Sequence, residues 1–142
     1  MHREKEVLLK IRNAQTYFPV QKGLLKRTVG HVRAVDNVSL DVYRGETLGL
    51  VGESGCGKTT LGKSILQLVR PTGGEFIYNF DGQEKDLRKL SNEEMMQARK
   101  RLQIVFQDPH SSLNPAFTIF GSLQDPLKKF GIKSKEERKQ II

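Results

Sequence analysis

The chain has 142 residues, enough for one domain with a real hydrophobic core. Hydrophobic residues make up 37% and charged residues 28%, an ordinary globular composition, and no apolar run approaches the roughly 20 residues that a bilayer-spanning helix needs. The formal charge of +8, from 24 basic and 16 acidic residues, admits contact with nucleic acid, anionic lipid or a polyphosphate, or a longer chain whose remainder offsets the excess. With no run of five like charges, the cations read as spread over solvated faces.

The start, Met1 to Lys5, is mixed in charge and reads as neither a signal nor a transit peptide. Val7 to Arg12 reads as a first strand. Residues 19–31 carry Pro19, Gly23, Gly30 and scattered cations, and read as an exposed loop. From Val32 to Tyr43 apolar and polar residues alternate, with Val38, Leu40 and Val42 on one face. That predicts a half-buried strand antiparallel to its neighbour. After the turn Arg44-Gly45-Glu46, the run Thr47 to Val51 reads as a strand buried on both faces of a parallel sheet.

A glycine-rich loop follows, then helical spacing from Lys58 to Val69, ended by Arg70-Pro71-Thr72-Gly73-Gly74. Glu75 to Phe80 reads as a strand turning at Asp81-Gly82. Ser91 with Glu94 makes a capping box for a helix over about 92–100. Leu102 to Phe106 is another strand, and a helical pattern from Ile119 to Phe130 carries an expected break at Pro126. Ser134 and Glu137 form a second capping box, opening a helix still running at Ile142.

Gly52-Glu53-Ser54-Gly55-Cys56-Gly57-Lys58-Thr59 satisfies G-x-x-x-x-G-K-[ST]. Glycines let the backbone curl so that successive N–H groups face anionic oxygens. A helix starting near Lys58 offers its free N–H groups and positive dipole end to the same phosphates. Lys58 would reach the β- and γ-phosphates, and the Thr59 hydroxyl would hold Mg²⁺. The motif is expected to sit after a buried strand and before an amphipathic helix, as that chemistry demands. A dinucleotide fingerprint would need glycine where Thr60 stands. Cys56 rules out an internal disulfide and fits a reducing cytosol. It reads as a small residue turned away from the phosphates, the alternative being a thiol open to alkylation at a helix N-terminus.

The chain resembles the ATP-binding subunit of ABC transporters, in the oligopeptide/dipeptide importer branch. The carrying residues are Tyr17-Phe18-Pro19-Val20 with the basic insert Lys22 to Arg27, Ala34 to Ser39, Gly45 to Thr59, and Val105-Phe106-Gln107-Asp108-Pro109 continuing to Ser112-Leu113-Asn114-Pro115. The resemblance implies an α/β fold: a P-loop NTPase core with an antiparallel β subdomain over 1–107, and the start of an α-helical subdomain over 108–142. It implies that Phe18, with Tyr17 in reserve, stacks on adenine; the residues alone would make them strand-end core aromatics. It implies nucleotide contacts through Gly52, Glu53, Ser54, Gly55, Cys56, Gly57, Lys58, Thr59 and Thr60.

Gln107 would touch Mg²⁺ and the attacking water, although by itself it fits loop polarity as well as ligand contact. An acidic magnesium motif at Ile104–Asp108 is rejected because Gln107 interrupts the required spacing. His31 and His110 read as solvated loop residues. ATP and Mg²⁺ are the implied cofactors. The implied partners are permease subunits, a second ATP-binding subunit and, indirectly, a solute-binding protein, at the cytoplasmic face of the membrane.

The family's signature loop, its catalytic glutamate and its switch histidine are not found before Ile142. The expectation is therefore the front part of a nucleotide-binding domain that binds ATP and hydrolyses it negligibly alone. Ala116 departs from one importer subfamily, and the preceding residues lean towards the second of the two paired ATPases. The rival readings are a P-loop ATPase acting on DNA, supported by the charge but lacking a zinc-type cysteine cluster and coiled-coil heptads, and a small-molecule kinase, which lacks lid arginines. No nucleic acid partner is expected.

Overall fold

The computed structural model describes residues 5–23, 27–106, 114 and 116–142. The chain divides into two compact units, 1–103 and 104–142.

The first unit is built on an antiparallel sheet of β1 (Val7–Lys22), β2 (Arg27–Tyr43), β3 (Gly73–Phe80) and β4 (Gln83–Asp86), in the order β2-β1-β3-β4. One helix, α1 (Lys58–Ile65), lies between β2 and β3 in sequence, and α2 (Asn92–Ala98) follows β4. Leu9 and Ile11 of β1 sit opposite Tyr78 and Phe76 of β3, and these four are buried with Ala14, Val35, Leu61, Leu87 and Ala98. Two-residue periodicity alone would turn Ala14 outward. A bulge corrects it: Asn13 takes a left-handed φ of 49° and the register shifts between Ile11 and Ala14. Ala14 and Thr16 therefore face the core beside Leu9 and Ile11.

The expected loop over 19–31 is instead most of a β-ribbon. Both strands continue past the rest of the sheet, pairing Phe18 with Val32, Pro19 with His31 and Val20 with Gly30. β3 pairs with β1 only as far as Gln15, so among the described residues β1 has an edge without a partner strand at Pro19, the kind of position where proline is tolerated. Helix α1 ends at Ile65, short of Val69. Gln67 adopts the left-handed φ of 54° that glycine usually supplies. Its N–H reaches the Ser64 carbonyl and that of Leu68 reaches the Lys63 carbonyl, closing the helix.

The turn at Asp81-Gly82 forms with φ of 52° and 96°, matching a tight antiparallel hairpin. It leads into β4, an all-polar edge strand that apolar patterning does not reveal. The capping box at Ser91 is complete: Ser91 Oγ accepts from the Glu94 N–H, and Glu94 Oε2 accepts from the Ser91 N–H.

Neither buried strand of the anticipated parallel core forms. Residues 46–53 and 102–106 carry no strand pairing, with Val51 94% and Val105 97% exposed. An apolar run becomes a buried strand only where neighbours hydrogen-bond its edges and cover its faces, and the described residues supply none.

In the second unit α3 (Ile119–Lys129) packs on α4 (Lys135–Ile141). Pro126 does not break α3; the helix runs through it and ends at Phe130, whose N–H bonds the Pro126 carbonyl. The Ser134 hydroxyl caps α4 by accepting from the Glu137 N–H, but the reciprocal half of the box is absent, since Glu136 rather than Glu137 turns back to Ser134. Buried Arg138 donates from Nη1 to the carbonyls of Ile132 and Lys133, tying down the connection between the helices. No described helix is long and apolar enough to cross a membrane.

Candidate functional site

The loop before α1 is shaped by its glycines. Gly57 is the N-cap of α1 at φ 100°, and a Cβ there would lie 2.0 Å from the Ala34 carbonyl oxygen in β2. No other residue type allows so close an approach of helix start to strand. At Gly52 a Cβ would lie 2.8 Å from Cys56 Sγ, so the missing side chain leaves room for the thiol. Cys56 therefore does not point away from the loop. Its Sγ lies 3.4 Å from Lys58 Nζ, while its residue remains exposed.

Lys58 folds back over the loop and donates from Nζ to the carbonyls of Gly52 (2.7 Å) and Glu53 (2.6 Å). The first intrahelical bond of α1 runs from the Leu61 N–H to the Gly57 carbonyl, which leaves the N–H groups of Lys58, Thr59 and Thr60 without helical acceptors. The loop thus gathers an ammonium and a cluster of unspent amide donors, with Glu53, Ser54 and Thr59 exposed beside them. Such a donor set fits a polyanion. The described residues hold no cluster of three or more His, Cys, Asp or Glu. A divalent ion here would take its oxygens from phosphates and a hydroxyl such as that of Thr59, the usual arrangement for Mg²⁺.

The two candidate aromatics lie on opposite faces of the ribbon. Tyr17 donates from its hydroxyl to Asp36 Oδ1 at 2.5 Å, and Arg33 lies 5.6 Å from its ring centre. That contact raises the Tyr17 pKa and lowers that of Asp36. Thr16, next to Tyr17, points the other way, towards α1, where its hydroxyl meets Ser64 Oγ at 2.9 Å. Side chains alternate along β1, so Phe18 shares the face of Thr16 and α1. It is 40% exposed, opposite Val32 at 55%.

Sequence reasoning did not single out Thr16, Ser64, Val32 or the Ala34 carbonyl. Thr16 and Ser64 are 48 residues apart, and no local pattern announces such a pair. His31 is exposed on the ribbon. Gln107, Asp108 and His110 lie outside the described residues.

The chain is 43% identical over 139 residues to the oligopeptide transport ATP-binding protein AppF of Bacillus subtilis, an alignment covering 97% of this chain and 41% of that protein. It is 46% identical over 127 residues to the glutathione import ATP-binding protein GsiA of Escherichia coli K12, covering 89% of this chain and 20% of that one. It thus spans well under half of either relative. Among solved structures, the dimeric ATP-binding cassette MJ0796 in a post-hydrolysis state bound to ADP and Pi matches with a TM-score of 0.67 and 28% identity, over 94% of this chain and 53% of that one. The fold is that of part of an ABC ATPase cassette, an antiparallel sheet with helices. Residues 35–142 match the family model for ABC transporters, and the chain belongs to that family.

Proposed function

We propose that this chain is the nucleotide-gripping part of an ABC transporter subunit that couples ATP to uptake of peptides. The observation that carries the reading is the loop itself: Lys58 Nζ held over the Gly52 and Glu53 carbonyls, beside the free amides that open α1. In this reading those amides and Lys58 bind the phosphates, and Thr59 supplies a hydroxyl to the Mg²⁺ that accompanies them. Binding would exchange the loop's own carbonyls for phosphate oxygens as partners of Lys58. Charge-assisted bonds to phosphate are the stronger kind.

Phe18 offers its exposed ring to the adenine, with Val32 beside it, because both stand on the face that α1 and the phosphate loop share. Tyr17, bound to Asp36 on the other face, is spent on holding the ribbon. Gln107 is assigned contact with the metal and the attacking water on family resemblance. Residues 108–142 are assigned to the start of the helical subdomain that meets the permease on the same ground.

The peptide cargo rests on the relatives, one named for oligopeptide transport and another for glutathione import. Permease subunits, a second ATP-binding subunit and a place at the cytoplasmic face of the membrane follow from that reading. Mg-ATP sandwiched between two such subunits is the expected working state, as the dimeric ADP-bound cassette suggests. Alone, this chain is expected to bind ATP and turn it over negligibly, since in this reading hydrolysis needs two such subunits closed on one nucleotide.

Titration calorimetry with Mg-ATP on the chain and on Lys58→Ala tests the reading. The expected result is saturable binding that the substitution weakens by at least about tenfold, the worth of one charge-assisted bond. Equal affinity for both proteins would refute the role of Lys58.

A further inference from the structure

The phosphate loop and the base platform belong to different elements, and something must set the distance between them. Phe18 rides on β1, whereas the loop is fixed to the start of α1. ATP can use both only if α1 sits at one position along β1.

Two contacts define that position. At the start of the helix, Gly57 lies so close to Ala34 that a Cβ would be 2.0 Å from the carbonyl oxygen. That contact limits approach but does not prevent sliding. Two turns on, Ser64 Oγ meets Thr16 Oγ1 at 2.9 Å, with Ser64 0% and Thr16 1% exposed. A hydroxyl pair so buried has no water to turn to, so breaking it leaves unsatisfied polar atoms. The other buried residues of these elements are apolar: Leu61 on α1 belongs to one cluster with Val35 and Ala14 on the strands. Apolar packing tolerates a small shift, whereas a hydrogen bond does not. Thr16 stands two residues before Phe18 on the same face of β1.

The geometry points to Thr16 and Ser64 as positioning residues for nucleotide recognition. Their hydroxyl bond holds α1 in register with β1, so that a nucleoside triphosphate reaches the phosphate loop and the Phe18 ring together. The inference rests on the nucleotide-binding reading above. It predicts selectivity for a nucleoside triphosphate over a bare triphosphate, because two linked contacts bind cooperatively only when the spacing between them is held.

The test compares Mg-ATP with magnesium tripolyphosphate, which has the phosphates and no base, by calorimetry on the whole chain. The double variant Thr16→Val/Ser64→Ala removes both hydroxyls, which avoids stranding one of them. The expected result is a loss of about tenfold for ATP, the scale of a displaced base–aromatic stack, with tripolyphosphate affinity unchanged within about twofold. Thr16→Ser keeps a hydroxyl and should restore the ratio. A merely structural role would weaken both ligands alike or neither, and either result overturns the inference. Should the double variant lose its circular-dichroism signal, Ser64→Ala carries the same comparison. If the wild type binds tripolyphosphate and ATP equally, the base platform fails and this inference with it. Wild-type binding of neither ligand overturns the nucleotide reading itself.

Discussion

The antiparallel sheet and the apolar runs at 47–51 and 102–106 have similar hydrophobic content and opposite fates. In the sheet Ile11 and Phe76 are fully buried, each supplied with a hydrogen-bonded neighbour by β1, β2 or β3. In the runs, Leu48, Leu50 and Val51, like Ile104, Val105 and Phe106, are exposed. The difference is the source of the partner. An antiparallel neighbour arrives through a hairpin, whereas a strand of a parallel sheet waits for one returning by a long crossover. Apolarity marks a residue that gains by burial; it does not supply what buries it.

That comparison can be broken by mutation. Phe76→Ala should cost about 3–5 kcal/mol, because a fully buried ring leaves a cavity that neighbours only partly fill. Urea unfolding followed by circular dichroism would read this directly. Gly57→Ala is next, at about 3 kcal/mol, since it forces a left-handed backbone on alanine and drives Cβ into the Ala34 carbonyl. The same variant should lose ATP binding even where it stays folded. Ser91→Ala removes a complete capping box and should cost about 1 kcal/mol.

The smallest effects belong to the exposed runs: Val51→Ser and Val105→Ser should each change stability by less than about 0.5 kcal/mol. A large loss at either would show that the run is packed in solution, and the contrast with the sheet would fail.

A pH titration sharpens the account of α2. Glu94 is held at a pKa of about 2, below its ordinary 4.5, first by the hydrogen bond from Lys85 and then by those from Ser91. A carboxylate depressed in the folded state stabilises fully above its unfolded value. That contribution fades as pH falls through 4.5 towards 2. The Glu94 carboxyl resonance should therefore titrate near 2, moving back towards 4.5 in Lys85→Met. A midpoint near 4.5 in the unsubstituted chain would remove the interaction from the account.

What could be read in advance follows the range of the forces involved. The glycine-rich loop opening α1 was legible because its determinants are local: glycines, one lysine and one threonine in eight consecutive positions. The Ser91 cap was legible for the same reason, and the Asp81-Gly82 turn needed only two residues. Strand β4 was not, because Gln83 to Asp86 is polar throughout and forms by completing an edge. Residues 19–31 of the ribbon read as a loop because Pro19, Gly23 and Gly30 punctuate them. Proline's cost vanishes only where the neighbouring strand stops, and that is a tertiary fact. The Thr16–Ser64 bond joins residues far apart in the chain, and the inward turn of Cys56 depends on the vacant side of Gly52. Family resemblance supplied the aromatic pair, and only the structure shows that Tyr17 bonds Asp36 while Phe18 is partly exposed opposite Val32.

The loop amides are the centre of the account, and amide chemical shifts on titration with Mg-ATP observe them one by one. The N–H resonances of Gly55 and of Gly57 to Thr60 should move together and saturate, while those opening α2 at Asn92 to Glu94 stay still. Shifts spread evenly over both helices, or none in the loop at saturating Mg-ATP, would contradict it.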